Sequence, residues 1–522
     1  MSLLNRCSMK DHQAIEVQSA VGDFLLPHET WVCNPTGISM NTHCFPTEEL
    51  ARSVVGDRGL LDANTERFDL SEWIDTVAKQ LSDNTPTVVH EKASATQSDA
   101  LALPSNDSST ITEDYMPKKR IRKLSEAPDP LVHCKNMSQD FPREHTESSD
   151  EGMLLLSHLL ECAVAISVDD LVTANSIALE LGQSASPYRP SSAERVVAYF
   201  ARAMASRIMN SWLGICTPLH SYKATTAAFQ TFHTVSPFVK FAYLASNQAI
   251  LEAFEDRERV HIIDVDIMHG SQWPTLLHAL ATRVRGPPHV RMTGLGVSLG
   301  TLEETGKQLS CFARRLGMHF EFQPVAKRFS EVEMSVLQGR RAEAVAVHWL
   351  QHSSYDAIGS DHKALSMLKD LAPKVVTLAE QEMARSGPFL ERFVGALHYY
   401  SSMFDALAVS LPHDDPDRHR VEHDLLSREV TNVLAVGGPA RSGEVKFSSW
   451  RAELLRNCQH FTQVPLSSNT ASHAQLVLNM LPSSHGYTLF QGDGTLKLGW
   501  KDTSLYTASA WTSNAWHHFH FL

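Results

Sequence analysis

The run Val260-His261-Ile262-Ile263-Asp264-Val265-Asp266-Ile267 constrains this chain more than any other stretch. It is apolar and β-branched along most of its length, so it must avoid water on both faces. That is the condition of a strand inside a parallel sheet. Asp264 and Asp266 stand at its C-terminal end, the edge at which open α/β sheets bind ligands. Met268-His269-Gly270-Ser271-Gln272 then reads as a loop. Trp273 and Pro274 open a helical pattern through Leu276, Leu277 and Leu280, with proline placed where its missing N–H costs little.

This strand–loop–helix unit lacks the glycines of a nucleotide site. A dinucleotide fingerprint needs G-x-G-x-x-G so that backbone can approach a pyrophosphate, and only Gly270 is available. A methyltransferase of this architecture usually carries an acidic residue followed by glycine two and four residues later. Counted from Asp264, those positions hold Asp266 and Met268, whose side chains would stand where the cofactor's methionine end lies. The strand is therefore expected to be a scaffold, with Asp264 accepting N–H bonds from the loop that follows. No cofactor, metal or catalytic residue is expected. A methyltransferase with an altered cofactor site is the alternative.

Downstream, strand patterns at Val290–Leu295, Met318–Gln323, Ala344–Trp349 and Lys374–Ala379 alternate with helical patterns such as Leu302–Leu316 and Glu391–Leu407. Such alternation implies βαβ units. Tyr487–Phe490 and Thr495–Trp500, bridged by Gln491-Gly492-Asp493-Gly494, read as a hairpin. Upstream of the first strand, 153–216 is helical and densely apolar, with Leu155, Leu156, Leu159, Leu160, Leu171 and Ile177 at helical spacing. The expected fold is α/β: a methyltransferase-like, Rossmann-type, mostly parallel sheet ending in an antiparallel hairpin, with an N-terminal helical cap. Leu156, Leu159, Leu160 and Leu171 are the candidate partner-binding positions, since helix-in-groove contacts use i, i+3, i+4 anchors.

Residues 1–150 differ in composition. They hold 14 basic and 24 acidic residues, so −10 of the chain's net −13 resides there. The remainder, at −3, does not advertise a large phosphate-binding surface. This first region is rich in Ser, Thr, Asp, Glu, Asn and Pro and is expected to be largely disordered. Two islands interrupt it. Phe68–Leu81 carries Leu70, Trp73, Ile74, Val77 and Leu81 at helical spacing, a helix that either docks on its own domain or folds on a partner. Pro117-Lys118-Lys119-Arg120-Ile121-Arg122-Lys123 reads as a nuclear-import signal. Eight cysteines form no C-x-x-C pair, and the chain has no 18-residue apolar run, so a soluble protein of a reducing compartment is expected.

Other short patterns carry little chemistry. Gly296-Val297-Ser298-Leu299-Gly300 matches the nucleophile elbow G-x-S-x-G, but no oxyanion-loop pattern accompanies it. His419 and His423 are four apart without an obvious third ligand, and His517, His518 and His520 close the chain.

With these residues in view, the chain resembles the plant GRAS family of transcriptional regulators, its SCARECROW branch most closely. Val260-His261-Ile262-Ile263-Asp264 reproduces the family's VHIID motif, with Gln272-Trp273-Pro274 following. Pro373, Phe393, Tyr399, Tyr400 and the pair Arg428-Glu429 resemble the PFYRE region. Trp450, Gly499-Trp500 and Ser509-Ala510-Trp511 resemble the SAW region. The resemblance divides the chain into a disordered acidic region 1–148, a GRAS domain 149–514 and a tail 515–522. Within the domain lie leucine repeat I (150–213), the VHIID region (229–294), leucine repeat II (304–336), the PFYRE region (345–431) and the SAW region (434–511). Trp273, Pro274, Arg428, Glu429, Trp500 and Trp511 are expected to be structural beside Asp264. The resemblance implies a nuclear, non-enzymatic transcription regulator acting in radial patterning, asymmetric division and endodermis-type cell fate. Implied partners are SHORT-ROOT-type GRAS proteins, as homo- or heterodimers, and zinc-finger transcription factors, with DNA reached through them and no membrane. One departure is Leu160-Glu161-Cys162-Ala163-Val164, where Val164 replaces the acid of the L-x-C-x-E motif that implies retinoblastoma-related partners.

Overall fold

A computed structural model describes residues 144–214, 222–340, 342–351, 359–480 and 485–516. The basic cluster at 117–123, the helical pattern at 68–81 and the terminal histidines lie outside the described residues.

Five strands form the parallel part of the sheet: β1 (Arg259–Asp264), β2 (His289–Leu295), β3 (Phe320–Val325), β4 (Ala344–Leu350) and β5 (Val375–Gln381). The sheet is completed by β6 (Phe461–Val464), β7 (Tyr487–Gly492), β8 (Thr495–Trp500) and β9 (Thr503–Ser513). Spatial order is β3-β2-β1-β4-β5-β9-β8-β7, with β6 also on β9. This is the methyltransferase-like arrangement: the order reverses between β1 and β4, and β9 enters antiparallel beside β5. On its far side β9 is shared, pairing its first half with β8 and its last residues with β6.

The expected hairpin is β7–β8. Two expectations shift. The third strand starts two residues later than Met318, because Gly317 ends the preceding helix in the left-handed region at φ 69° and Met318 N still bonds back to Ala313 O. The first strand stops at Asp264 rather than Ile267, because the Asp264 carboxylate accepts the N–H of Asp266 and turns the chain.

Helices flank the sheet. Ahead of β1 come α1 (Glu144–Ser167), α2 (Leu171–Ser184), α3 (Ser192–Leu213), α4 (Tyr222–Val235) and α5 (Pro237–Phe254). Serine side chains cap α3 and α5: Ser191 accepts from Glu194 N, and Ser236 from Phe238 N ahead of Pro237. Within the α/β part lie α6 (Trp273–Ala281), α7 (Leu299–Arg315), α8 (Asp361–Leu371) and α9 (Phe389–Ser410). Next come α10 (Pro416–Arg420) and α11 (Ser427–Ala435), joined by a π-helical turn over Val421–Leu426.

The helical cap is not built from the N-terminal helices alone, as the sequence suggested. α11 packs along α3, and the π turn packs against α4. A buried ion triad joins the two halves: Glu422 accepts from Arg195 Nε and from Arg418 Nε, both at 2.9 Å. Leucine repeat II is likewise not wholly helical, since β3 falls within 304–336. Alternation along β1 divides the core. Val260 and Ile262 face the α5 side, while Ile263 and Val265 face the α8 side. No helix among the described residues is long and apolar enough to cross a membrane.

Candidate functional site

The C-terminal edge of the sheet is where a ligand of this fold would bind. On the α5 side that edge is filled. Asp264 is buried, and its two oxygens each take a donor: Trp273 Nε1 at 2.8 Å and Asp266 N at 3.2 Å. Burial pushes the Asp264 carboxyl up to about 8, against the lowering effect of the tryptophan bond. Trp273 is fully buried and meets the His348 ring edge-on at 5.5 Å. His348 is paired to Thr377 Oγ1 and held neutral by burial, with its pKa down at about 3. Gln272 donates to Asn247 on α5, so the loop is tied to the helix behind it.

The loop residues themselves occupy the remaining space. Met268 takes the left-handed conformation at φ 48° and turns its side chain into the core, as does Ile267. Gly270 follows at φ 65°, where a Cβ would come within 2.9 Å of Thr305 Cγ2. The residual cavity bounded by Tyr243, Asp264, Met268, Trp273 and His348 has a volume of only about 10 Å³. A single water needs on the order of 10–15 Å³ by this measure.

His261, on the other face of β1, anchors a polar chain across three strands. Arg291 Nη2 donates to its Nδ1 at 2.9 Å, so the ring is neutral and its Nε2–H donates to Thr293 Oγ1 at 2.8 Å. Thr293 in turn donates toward Gln323 Oε1, and Arg291 is paired with Glu343 at 2.6 Å. Burial first, then Arg291, lowers the His261 pKa to about 3. Val260, Ile262 and Ile263 are wholly buried.

The distant motif residues fall into the same framework. Glu429 is buried and accepts from Tyr400 OH at 3.0 Å and Gln381 Nε2 at 3.1 Å, which ties α11 to α9 and β5. Arg428 is half-exposed and 4.0 Å from Asp424. Trp500 Nε1 donates to Asp405 Oδ2 at 2.7 Å, and the buried Trp511 pairs opposite Val376. Phe393 meets Phe200 of the cap edge-on at 5.9 Å. Pro274 lies in the first turn of α6.

The leucines proposed as partner anchors sit elsewhere. Leu156 (1 % exposed), Leu159 (0 %) and Leu160 (8 %) are core residues of the α1–α2–α3 bundle, and Leu171 is half-buried against the same core. A side chain without accessible surface offers no contact area to a second protein, so that expectation is corrected for Leu156, Leu159 and Leu160, while Leu171 keeps part of its surface. Sequence periodicity marks an apolar face but does not say what covers it. Leu160 and Cys162 are buried as well, with Cys162 Sγ donating to Ala174 O, so the Leu160–Val164 segment is not a free recognition peptide. Among the described residues, apolar side chains that reach solvent on the cap include Leu154 on α1, Val168, Val172 and Leu179 around α2, Tyr188 ahead of α3, and Met209, Trp212 and Leu213 at the end of α3.

The hydrolase-like motif is also explained structurally. Ser298 caps α7 by accepting from Thr301 N. Among the described residues no cluster of His, Cys, Asp and Glu is arranged to hold a metal ion.

The GRAS domain family model matches residues 155–512. The chain belongs to the GRAS domain family. It is 54 % identical over 374 residues to Protein SCARECROW of Arabidopsis thaliana, covering 70 % of this chain and 56 % of that protein. With Protein SCARECROW of Pisum sativum it shares 54 % identity over 369 residues, 69 % of this chain and 44 % of that protein. The chain thus spans about half the length of these curated relatives. Scarecrow-like protein 23 of Arabidopsis thaliana is 43 % identical over 411 residues, 76 % of this chain and 99 % of that protein. A crystal structure of SCL7 in Oryza sativa aligns with a TM-score of 0.58 at 32 % identity, covering 68 % of this chain and 99 % of the other. The VHIID, PFYRE and SAW residues described above all fall within the matched residues.

Proposed function

We propose that this GRAS protein is a nuclear, non-enzymatic regulator of transcription that acts through protein partners. The partners are other GRAS proteins of the SHORT-ROOT type and zinc-finger transcription factors, in radial patterning, asymmetric division and endodermis-type cell fate. The observation that supports it is the filled α5 side of the sheet edge: Ile267, Met268 and Trp273 pack beyond Asp264 and leave about 10 Å³ there. The SCARECROW similarity supplies the class of process, and the near-neutral charge of 151–522 suits protein partners better than bare DNA.

The partner surface we assign is the exposed apolar strip around α2, with Val172 at 80 % and Leu179 at 60 % exposure. The two lie seven residues apart, on one helix face. The test is co-purification of the full chain with a SHORT-ROOT-type protein. Val172→Asp or Leu179→Asp should break the complex while the melting temperature holds, since neither residue supports the core. Retention of the complex by both variants refutes this surface. Micromolar binding of S-adenosylmethionine that Asp264→Asn abolishes would replace the reading with the methyltransferase alternative.

A further inference from the structure

The two outer strands of the sheet are guarded differently. β3, at one edge, contains Pro324 and carries Glu321, which is paired with Arg340 at 2.8 Å. A proline and charged side chains are common guards against another strand adding to an edge. β7, at the other edge, has neither. It reads Tyr487-Thr488-Leu489-Phe490-Gln491-Gly492 and, among the described residues, pairs with β8 alone. The lack of charge extends beyond the strand: residues 457–492 contain no Asp, Glu, Lys or Arg, although these types make up 20 % of the chain. The same stretch includes α12 (Ser468–Asn479), which turns Ser472, Gln475, Leu476 and Asn479 outward along one stripe.

The hairpin register shows which backbone groups of β7 are free. Asp493 and Gly494, both at positive φ, form its two-residue turn, and Lys501 N donates to Gly486 O. Hydrogen-bonded pairs with the neighbouring strand therefore fall at Gly486, Thr488, Phe490 and Gly492. Tyr487, Leu489 and Gln491 occupy the alternate pairs, so their N–H and C=O groups point away from the sheet. Their side chains lie on the α12 face. There a groove of about 510 Å³ runs between Leu476 and Asn479 of α12 and Leu489 and Gln491 of β7. Phe490, on the opposite face, is 44 % exposed. Its neighbour across the hairpin, Lys497, is already engaged by Glu382 at 3.1 Å.

We propose that β7 is a dimer edge: a second copy of this chain adds its own β7 antiparallel to this one, about a twofold axis through Leu489. The register follows from the free backbone groups. Leu489 meets its own counterpart and Tyr487 meets Gln491 of the second copy, all as hydrogen-bonded pairs. The added strand sends its Tyr487, Leu489 and Gln491 side chains toward the groove beside α12. Phe490 comes opposite Thr488 of the second copy, an aromatic–β-branched cross-strand pair that covers the exposed ring. The charges favour this occupant. Asp493, which borders the strand, comes opposite His485 of the second copy, and both are exposed. Elsewhere an uncharged face meets its own uncharged copy without repulsion. A segment bearing charges along its length would lose their hydration against a groove that offers no counter-charge. The edge is separate from the partner surface on α2, so one chain can hold both contacts.

The test is sedimentation equilibrium of the full chain over a hundredfold range of concentration, with thermal melts alongside. The chain should dimerise reversibly. Phe490→Lys and Phe490→Glu should each weaken the dimer at least tenfold, because the twofold brings position 490 to about 7–8 Å from its own counterpart, within reach of long side chains. Neither should lower the melting temperature of the monomer, measured at the lowest concentration, since the ring is exposed. An equimolar mixture of the two variants should restore the dimer, with one chain of each. Gln491→Pro removes an outward N–H while leaving the ladder to β8 intact, and should abolish association. A chain that stays monomeric over the whole range overturns the proposal. So does a dimer that both Phe490 variants leave unchanged, which places the contact elsewhere, and so does a mixture that fails to re-associate. If the chain alone is monomeric but Phe490→Lys breaks its complex with a SHORT-ROOT-type protein, the edge takes a different chain, and the second-copy proposal is overturned.

Discussion

Asp264→Asn is the substitution that most directly tests how the VHIID strand end works. The two oxygens of Asp264 face two different donors, Trp273 Nε1 and Asp266 N. An asparagine can satisfy only one of them with its single oxygen; the other donor then faces an NH₂ group, which cannot accept, whereas the hydroxyl oxygen of the neutral carboxyl still can. Leaving one buried N–H unsatisfied costs about 1–3 kcal/mol. A domain of 150–250 residues shifts its melting temperature by about 2–4 °C per kcal/mol, and a larger one by less. The expected loss is therefore about 1–6 °C. The pH dependence carries the sign. The Asp264 pKa is raised in the fold, from 3.8 to about 8. The folded protein therefore binds this proton more tightly than the unfolded chain. Ionising the buried carboxyl destabilises the wild type progressively as pH rises from about 4 through about 8. Asparagine has no such proton, so the variant's deficit should be largest near pH 5 and should shrink by pH 9. Urea denaturation of both proteins across that range measures the gap, and Trp273→Phe completes a double-mutant cycle that isolates the tryptophan bond. A gap that widens with pH would refute the reasoning, because it would mean that Asp264 is ionised and stabilising. Strict additivity of the two substitutions would refute the bond itself.

Other outcomes follow from the cap and from the N-terminal region. Glu422→Ala should destabilise the fold by about 3–5 kcal/mol, because it leaves the buried guanidinium groups of Arg195 and Arg418 without their carboxylate. Chemical denaturation measures this, and a change below about 1 kcal/mol would show that the triad does not hold the two halves of the cap together. Replacing Lys118, Lys119 and Arg120 by alanine should leave a fluorescent fusion largely cytoplasmic, and a fusion that stays nuclear would place the import signal elsewhere.

The local units were legible in the amino-acid order. The β-branched run ending at Asp264, the proline-led helix after Trp273, the alternation of strands and helices, and the Gly492-Asp493-Gly494 turn each state their structure within a dozen residues. They do so because strand burial and turn conformation are short-range requirements. The absent glycines after Asp264 were legible for the same reason. Tertiary structure decided the rest. That Leu156, Leu159 and Leu160 are core while Val172 and Leu179 are surface depends on where α3 packs, since an apolar face looks the same whether its own chain or another covers it. That Glu422 completes a cap begun at Arg195 depends on side chains 227 residues apart. β9 shows no apolar–polar alternation because both of its faces are packed, Tyr506, Ala508 and Ala510 into one core and Trp511 into the other.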